Sequence, residues 1–152
     1  MNSRNFSFFG IVFLALALVM GCSKETETVT IDSSLPDGTL SIEKSGSFTA
    51  QSGTPTTGTA EIGIDEKNSY FLHFKNDFTT EQGSGTVAVY FSTSMDFKAD
   101  PGNGNPDLLL IGVVKSNGEH YYKLDSMLPG KFTHVILWCN TASIPFGYAA
   151  LQ

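Results

Sequence analysis

The residues with the most chemical potential in this chain are two cysteines, Cys22 and Cys139, and three histidines, His73, His120 and His134. A thiolate can act as a nucleophile, a redox centre or a metal ligand. The histidines are scattered, so zinc finds too few ligands around Cys139 to make a site. The sequence contains no GxSxG elbow, Walker loop, dinucleotide fingerprint, HExxH helix or CxxCH haem-attachment motif. Its carboxylates fall in turns, and none pairs into an acid–base arrangement. The chemistry therefore narrows to the two thiols.

Cys22 closes the segment MNSRNFSFFGIVFLALALVMGC. Arg4 supplies a positive start, and Phe6 to Met20 is apolar apart from Ser7 and Gly10. That run suits a signal-peptide core better than a spanning helix. Its end, Val19-Met20-Gly21-Cys22, resembles a bacterial lipobox. The resemblance implies cleavage before Cys22, acylation of its thiol and new amine, and anchoring to a membrane through lipid. Each buried CH2 of such chains contributes about 0.8 kcal/mol. The residues after it, SKETETVTIDSSLPDG, read as a mobile tether. Ser23 at the following position resembles the outer-membrane sorting pattern of organisms with two membranes. The expected organisation is a leader over 1–21, a lipidated tether over 22–38 and one domain over 39–152. The expected location is the cell envelope, outside the cytoplasm.

Charge supports this placement. The formal net charge is −6, and loss of Arg4 with the leader makes it −7. An acidic chain without a basic stripe has no electrostatic footprint for nucleic acid. It is not drawn to an anionic bilayer either, so lipid must supply the anchoring. With Cys22 committed to lipid, Cys139 has no partner for an intramolecular disulfide.

The elements that must position Cys139 are strands. Short apolar or alternating runs, punctuated by Gly, Asn, Asp, Ser and Pro about every ten residues, predict an all-β antiparallel sandwich or barrel-like domain. The expected strands span 46–51, 58–65, 70–74, 86–92, 108–114, 120–124, 133–139 and 147–151. In the third, alternation puts Tyr70, Leu72 and Phe74 in the core and His73 on the outer face with Phe71 and Lys75. The fourth is apolar on both faces, as a central strand is. In the seventh, Thr133, Val135, Leu137 and Cys139 share one face. Phe132, His134, Ile136 and Trp138 share the other, so His134 does not sit beside the thiol. The oxygen-rich stretch from Asp100 to Asp107 lacks the spacing and closing Glu of an EF-hand and reads as a surface loop.

Three segments stand in order: YFLHFKNDFTTEQGSGTVAVYFS, LLLIGVVKSNGEHYYKL and FTHVILWCNTASIPFGYAAL. Together, over roughly 46–151, they resemble the DM-thirteen domain family, also called the electron transfer DM-thirteen domain. The Trp-Cys segment is the most specific part. The resemblance implies a β-sandwich-like domain outside the cell whose cysteine, here Cys139, takes part in redox chemistry. That cysteine would act as a bare thiol or as a ligand to a group such as haem. Two function classes follow: a redox or electron-transfer module working through Cys139 with a redox partner, or a non-catalytic surface module that binds a protein, glycan or matrix component.

Overall fold

The computed structural model describes residues 34–152. The expected leader, the lipidated Cys22 and the tether up to residue 33 lie outside the described residues. Eight strands form: β1 Ser41–Ala50, β2 Thr59–Ile64, β3 Tyr70–Phe74, β4 Val87–Ser92, β5 Leu108–Val113, β6 His120–Leu124, β7 His134–Cys139 and β8 Ile144–Ala150. They make one antiparallel sheet in the order β5-β4-β7-β8-β1-β2-β3-β6. The sheet curls into a nearly closed, barrel-like shape, and β5 and β6 form its seam. No ladder joins those two strands among the described residues. The Tyr122 hydroxyl donates across the seam to the Val113 carbonyl at 3.2 Å. Among the described residues, the eight strands enclose one hydrophobic core.

β1 makes the corner. Its first part, from Ser41 to Ser47, pairs with β2, and Phe48–Ala50 pairs with β8. Gly46 is required at the crossing, because a Cβ there would overlap the Ala150 carbonyl oxygen. This strand begins five residues before its expected start at residue 46. Its early residues are largely exposed and polar, so alternation gave no signal there. β8 likewise begins at Ile144 rather than 147. Pro145 interrupts the expected pattern, and a bulge accommodates the irregularity. Leu137 faces Gly147 and Trp138 faces Pro145, leaving Phe146 unpaired and turned into the core.

The core is aromatic. Phe74 packs edge-on to Phe48 at 5.1 Å, against Phe78 at 4.6 Å and against Tyr122 at 5.4 Å between ring centres. Burial pushes the Tyr122 phenol far above its ordinary range. Leu72 and Phe74 point inward as alternation predicts, whereas Tyr70, at the strand end, is only half-buried. Phe132 is a second departure. It sits in the turn before β7, where alternation no longer applies, and joins the core rather than sharing the face of His134.

The β2–β3 turn fastens the start of the described chain. Asp65 accepts from the backbone N–H groups of Asp37, Ser69 and Lys67 at 3.1, 2.8 and 2.9 Å. The Asp37 N–H, then the Ser69 N–H, hold its carboxyl below the usual carboxylate range. A carboxyl with a lowered folded pKa stabilises the fold above its unfolded value of about 3.9. That contribution disappears as pH falls from there through the folded value. Asp65→Asn should therefore narrow the gap in urea midpoint between pH 7 and pH 3. An unchanged gap would show that these bonds do not favour the ionised form.

Candidate functional site

Cys139 ends β7, the strand flanked on one side by β4 and on the other by β8. It stands opposite Val87 and Ile144. The run Val135-Ile136-Leu137 suits a strand with neighbours on both edges and both faces covered. Val135, Leu137 and Cys139 face the core, and Cys139 is 0 % exposed. His134 is on the other face, where its Nδ1 lies 2.8 Å from the Thr133 hydroxyl and its ring lies 6.0 Å from that of Tyr148. Burial lowers the His134 pKa, and no Cys–His dyad forms.

Two loops cover the thiol from the end of the barrel. In the β7–β8 turn the Ala142 N–H donates to Cys139 Sγ at 3.4 Å, and the Ser143 N–H donates to the Cys139 carbonyl at 2.8 Å. From the β3–β4 connection, the Ser84 carbonyl and hydroxyl each lie 3.8 Å from Sγ, weak contacts suited to a thiol. Gly85 lets this connection lie flat on the turn. Its φ is +115°, and a Cβ there would overlap the Thr141 side chain. The thiol is therefore separated from solvent by Ser84, Gly85 and the Ala142 turn. Ser84 is 55 residues from Cys139 in sequence, a separation at which sequence spacing carries no signal.

Trp138 faces outward. Its indole stacks beneath Phe97 at 4.0 Å and 10°, and Phe97 meets Tyr90 edge-on at 5.1 Å. The long β4–β5 connection folds over this face and half-buries Tyr90, whose phenol pKa burial raises. Within that connection the Asp100 to Asp107 stretch forms a short 3-10 turn, Pro101–Asn103. The Asn103 amide donates to Asp100 there, and Asn105 accepts from the Asp100 N–H.

A second group of polar side chains lies on the outer face of β2, β3 and β6. His73 Nδ1 is 3.1 Å from Glu61, and Nε2 is 3.1 Å from Glu119. The imidazole stacks on Tyr121 at 4.4 Å, and the Tyr121 hydroxyl donates to Glu119 at 3.0 Å. Those donors hold the Glu119 carboxyl below its usual range. Sequence reasoning placed His73 on this face but missed both carboxylates. Glu61 is its cross-strand neighbour in β2, and Glu119 precedes β6, which joins β3 only through the non-sequential strand order. Among the described residues no group of three or more His, Cys, Asp and Glu side chains is placed to hold a metal ion.

The Electron transfer DM13 family matches residues 47–151, well over half of the chain and all of β2 to β8. The chain belongs to the DM13 family. The match contains the Trp138–Cys139 segment, Ser84 and Gly85, so both the thiol and its cover are parts of the DM13 domain. No curated protein and no solved structure matches the chain.

Haem, the prosthetic group that the resemblance suggested for Cys139, does not fit the residues present. Sγ is enclosed by the core, Ser84 and Ala142, and none of the four cavities described for this domain is lined by Cys139. A thiolate-ligated haem needs an open face at the sulfur large enough for a macrocycle. The arrangement instead protects a single thiol at a strand end, beneath the β7–β8 turn and the Ser84–Gly85 stretch of the β3–β4 connection.

Proposed function

We propose that this DM13 protein is a lipid-anchored lipoprotein of the cell envelope that serves electron transfer or thiol redox chemistry through Cys139. Membership of an electron-transfer family supports the general role. The observation that carries the finer reading is the position of the thiol: a buried cysteine at its strand end, covered there by the β7–β8 turn and by the glycine-dependent Ser84–Gly85 stretch of the β3–β4 connection. Loops at a strand end can open at less cost than global unfolding, and such an opening would reach the thiol from the folded state. In the opened form the thiol reduces a peroxide, giving Cys139 sulfenic acid and water. A small thiol then displaces water to form a mixed disulfide, and a second small thiol attacks its outer sulfur, restoring the Cys139 thiol and leaving as a disulfide with the first. With no resolving cysteine in the domain, the reductant comes from outside it. Cys22 supplies the membrane attachment and takes no part in this chemistry.

The complete burial of Cys139 favours a second reading, a non-catalytic surface module in which the cysteine only packs. Residues 34–152, expressed in haem-replete cells beside Cys139→Ser, separate the two. The redox reading expects a colourless protein whose thiol reacts, slowly, at a rate that stays flat in urea well below the unfolding transition. A rate that climbs with the full unfolding slope would place the thiol in a sealed core and favour the binding module. A haem spectrum lost in Cys139→Ser would overturn the account of the thiol's surroundings.

A further inference from the structure

The barrel interior is filled by side chains, but its seam is not. β5 and β6 stay close where the Tyr122 hydroxyl meets the Val113 carbonyl, and no ladder continues from there toward Leu109 and Leu124. The bulge in β5, where Tyr90 faces Leu110 and Val89 faces Gly112, turns Ile111 out of register on the strand next to this gap. A cavity of about 250 Å³ occupies the opening. Phe91, Ile111, Leu124 and Leu128 make its wall, and the last three pack against the main core. Asp125 and Ser126, from the connection after β6, stand at its polar side.

Three features make this a ligand site rather than a packing defect. Protein interiors close such gaps when side chains can reach, and here the gap stays open between two strand edges that no ladder joins. The wall is continuous with the core, so an apolar group placed here is removed from water on that side, while Lys123 and the exposed Leu109 and Met127 complete an open rim. The edge of β5 that faces β6 has no ladder partner, so its backbone can offer a hydrogen bond beside the apolar wall. A cavity of about 150 Å³ takes one benzene-sized ring, so this one of about 250 Å³ has room for a fused two-ring molecule, which is smaller than two separate rings. The larger basin of about 530 Å³ beside Tyr90 and Phe97 is walled partly by Pro101, Gly104 and Asn105 and does not reach the core in this way.

We propose that the β5–β6 seam binds a small, mostly apolar two-ring molecule carrying one hydrogen-bonding group. The site is independent of Cys139 and of the redox reading. Its test is titration of residues 34–152 with 2-naphthol, followed by calorimetry and by methyl NMR. The expected result is saturable one-to-one binding with a Kd on the order of 0.1 mM, the scale open to a ligand of that size. The shifts should centre on Ile111, Leu124 and Leu128. Leu110→Trp and Ser126→Trp fill the cavity from two sides, and each should weaken binding at least tenfold. Circular dichroism and the urea midpoint verify that each variant is folded. Absence of saturable binding would overturn the proposal, as would full binding in both folded variants. Shifts centred on Phe97 and Ala99 would also overturn it. If both variants misfold, the location of the wild-type shifts decides.

Discussion

Gly85→Ala should raise the rate at which Cys139 reacts with a thiol reagent by roughly 30- to 100-fold, with the domain still folded. The glycine has φ +115°, a conformation that costs a non-glycine residue about 1–3 kcal/mol. The added methyl also meets Thr141, whose Cβ would lie 2.9 Å away. Both penalties act on the closed position of the cover and vanish when it lifts. Weakening closure by about 2–2.7 kcal/mol multiplies the open population, and hence the labelling rate, by the stated factor. Gly53→Ala is the matched control. Gly53 has φ +73° but nothing within 4 Å of a new methyl, and it lies in the β1–β2 connection. It should lose only the backbone contribution, about 1 kcal/mol of local stability, and leave the thiol rate within about twofold. Equal rates for wild type and Gly85→Ala would remove the cover from the account.

Phe74→Ala should be the most destabilising of the substitutions considered, at about 3–5 kcal/mol by urea denaturation. Phe74 is fully buried and holds together rings from three separate parts of the chain: Phe48 of the corner strand, Phe78 of the β3–β4 connection and Tyr122 of β6. Truncation leaves a cavity that these neighbours, fixed by their own strands, fill poorly. Edge-on aromatic pairs add about 0.5–1.5 kcal/mol beyond burial. Against a total stability of about 5–15 kcal/mol, such a loss leaves a marginal domain. A cost below about 1.5 kcal/mol would mean that the aromatic cluster repacks freely.

The two substitutions also explain what the sequence could reveal. β3 and β6 were legible to the residue because apolar alternation and flanking turn residues agree there. The inward set Val135, Leu137 and Cys139 was legible too, since pleating alone assigns faces. The start of β1 was not, because its outer residues face water on a corner and carry no period. Nor was the start of β8, where Pro145 and a bulge disguise three strand residues. Phe132 shows that alternation should not be extended past a strand end. What spacing cannot encode is which distant segments meet. β6 joins β3 across two intervening strands, which hid Glu119 beside His73, and the β2–β3 register that sets Glu61 opposite His73 is not given by spacing either. Ser84 and Gly85 come to rest over Cys139 only because β4 and β7 are neighbours in the sheet. The thiol's residue type was visible in the sequence, but its cover exists only in the fold.

The most direct test of the central claim is trapping of Cys139 sulfenic acid in the folded domain. Residues 34–152 are exposed to a small excess of hydrogen peroxide with dimedone present, and intact and peptide masses are read while circular dichroism monitors the fold. The account predicts a dimedone adduct on Cys139 that accumulates without loss of native signal, faster in Gly85→Ala and absent in Cys139→Ser. An adduct that forms only once denaturant unfolds the domain would contradict it, and Cys139 would then be a packing residue of the core.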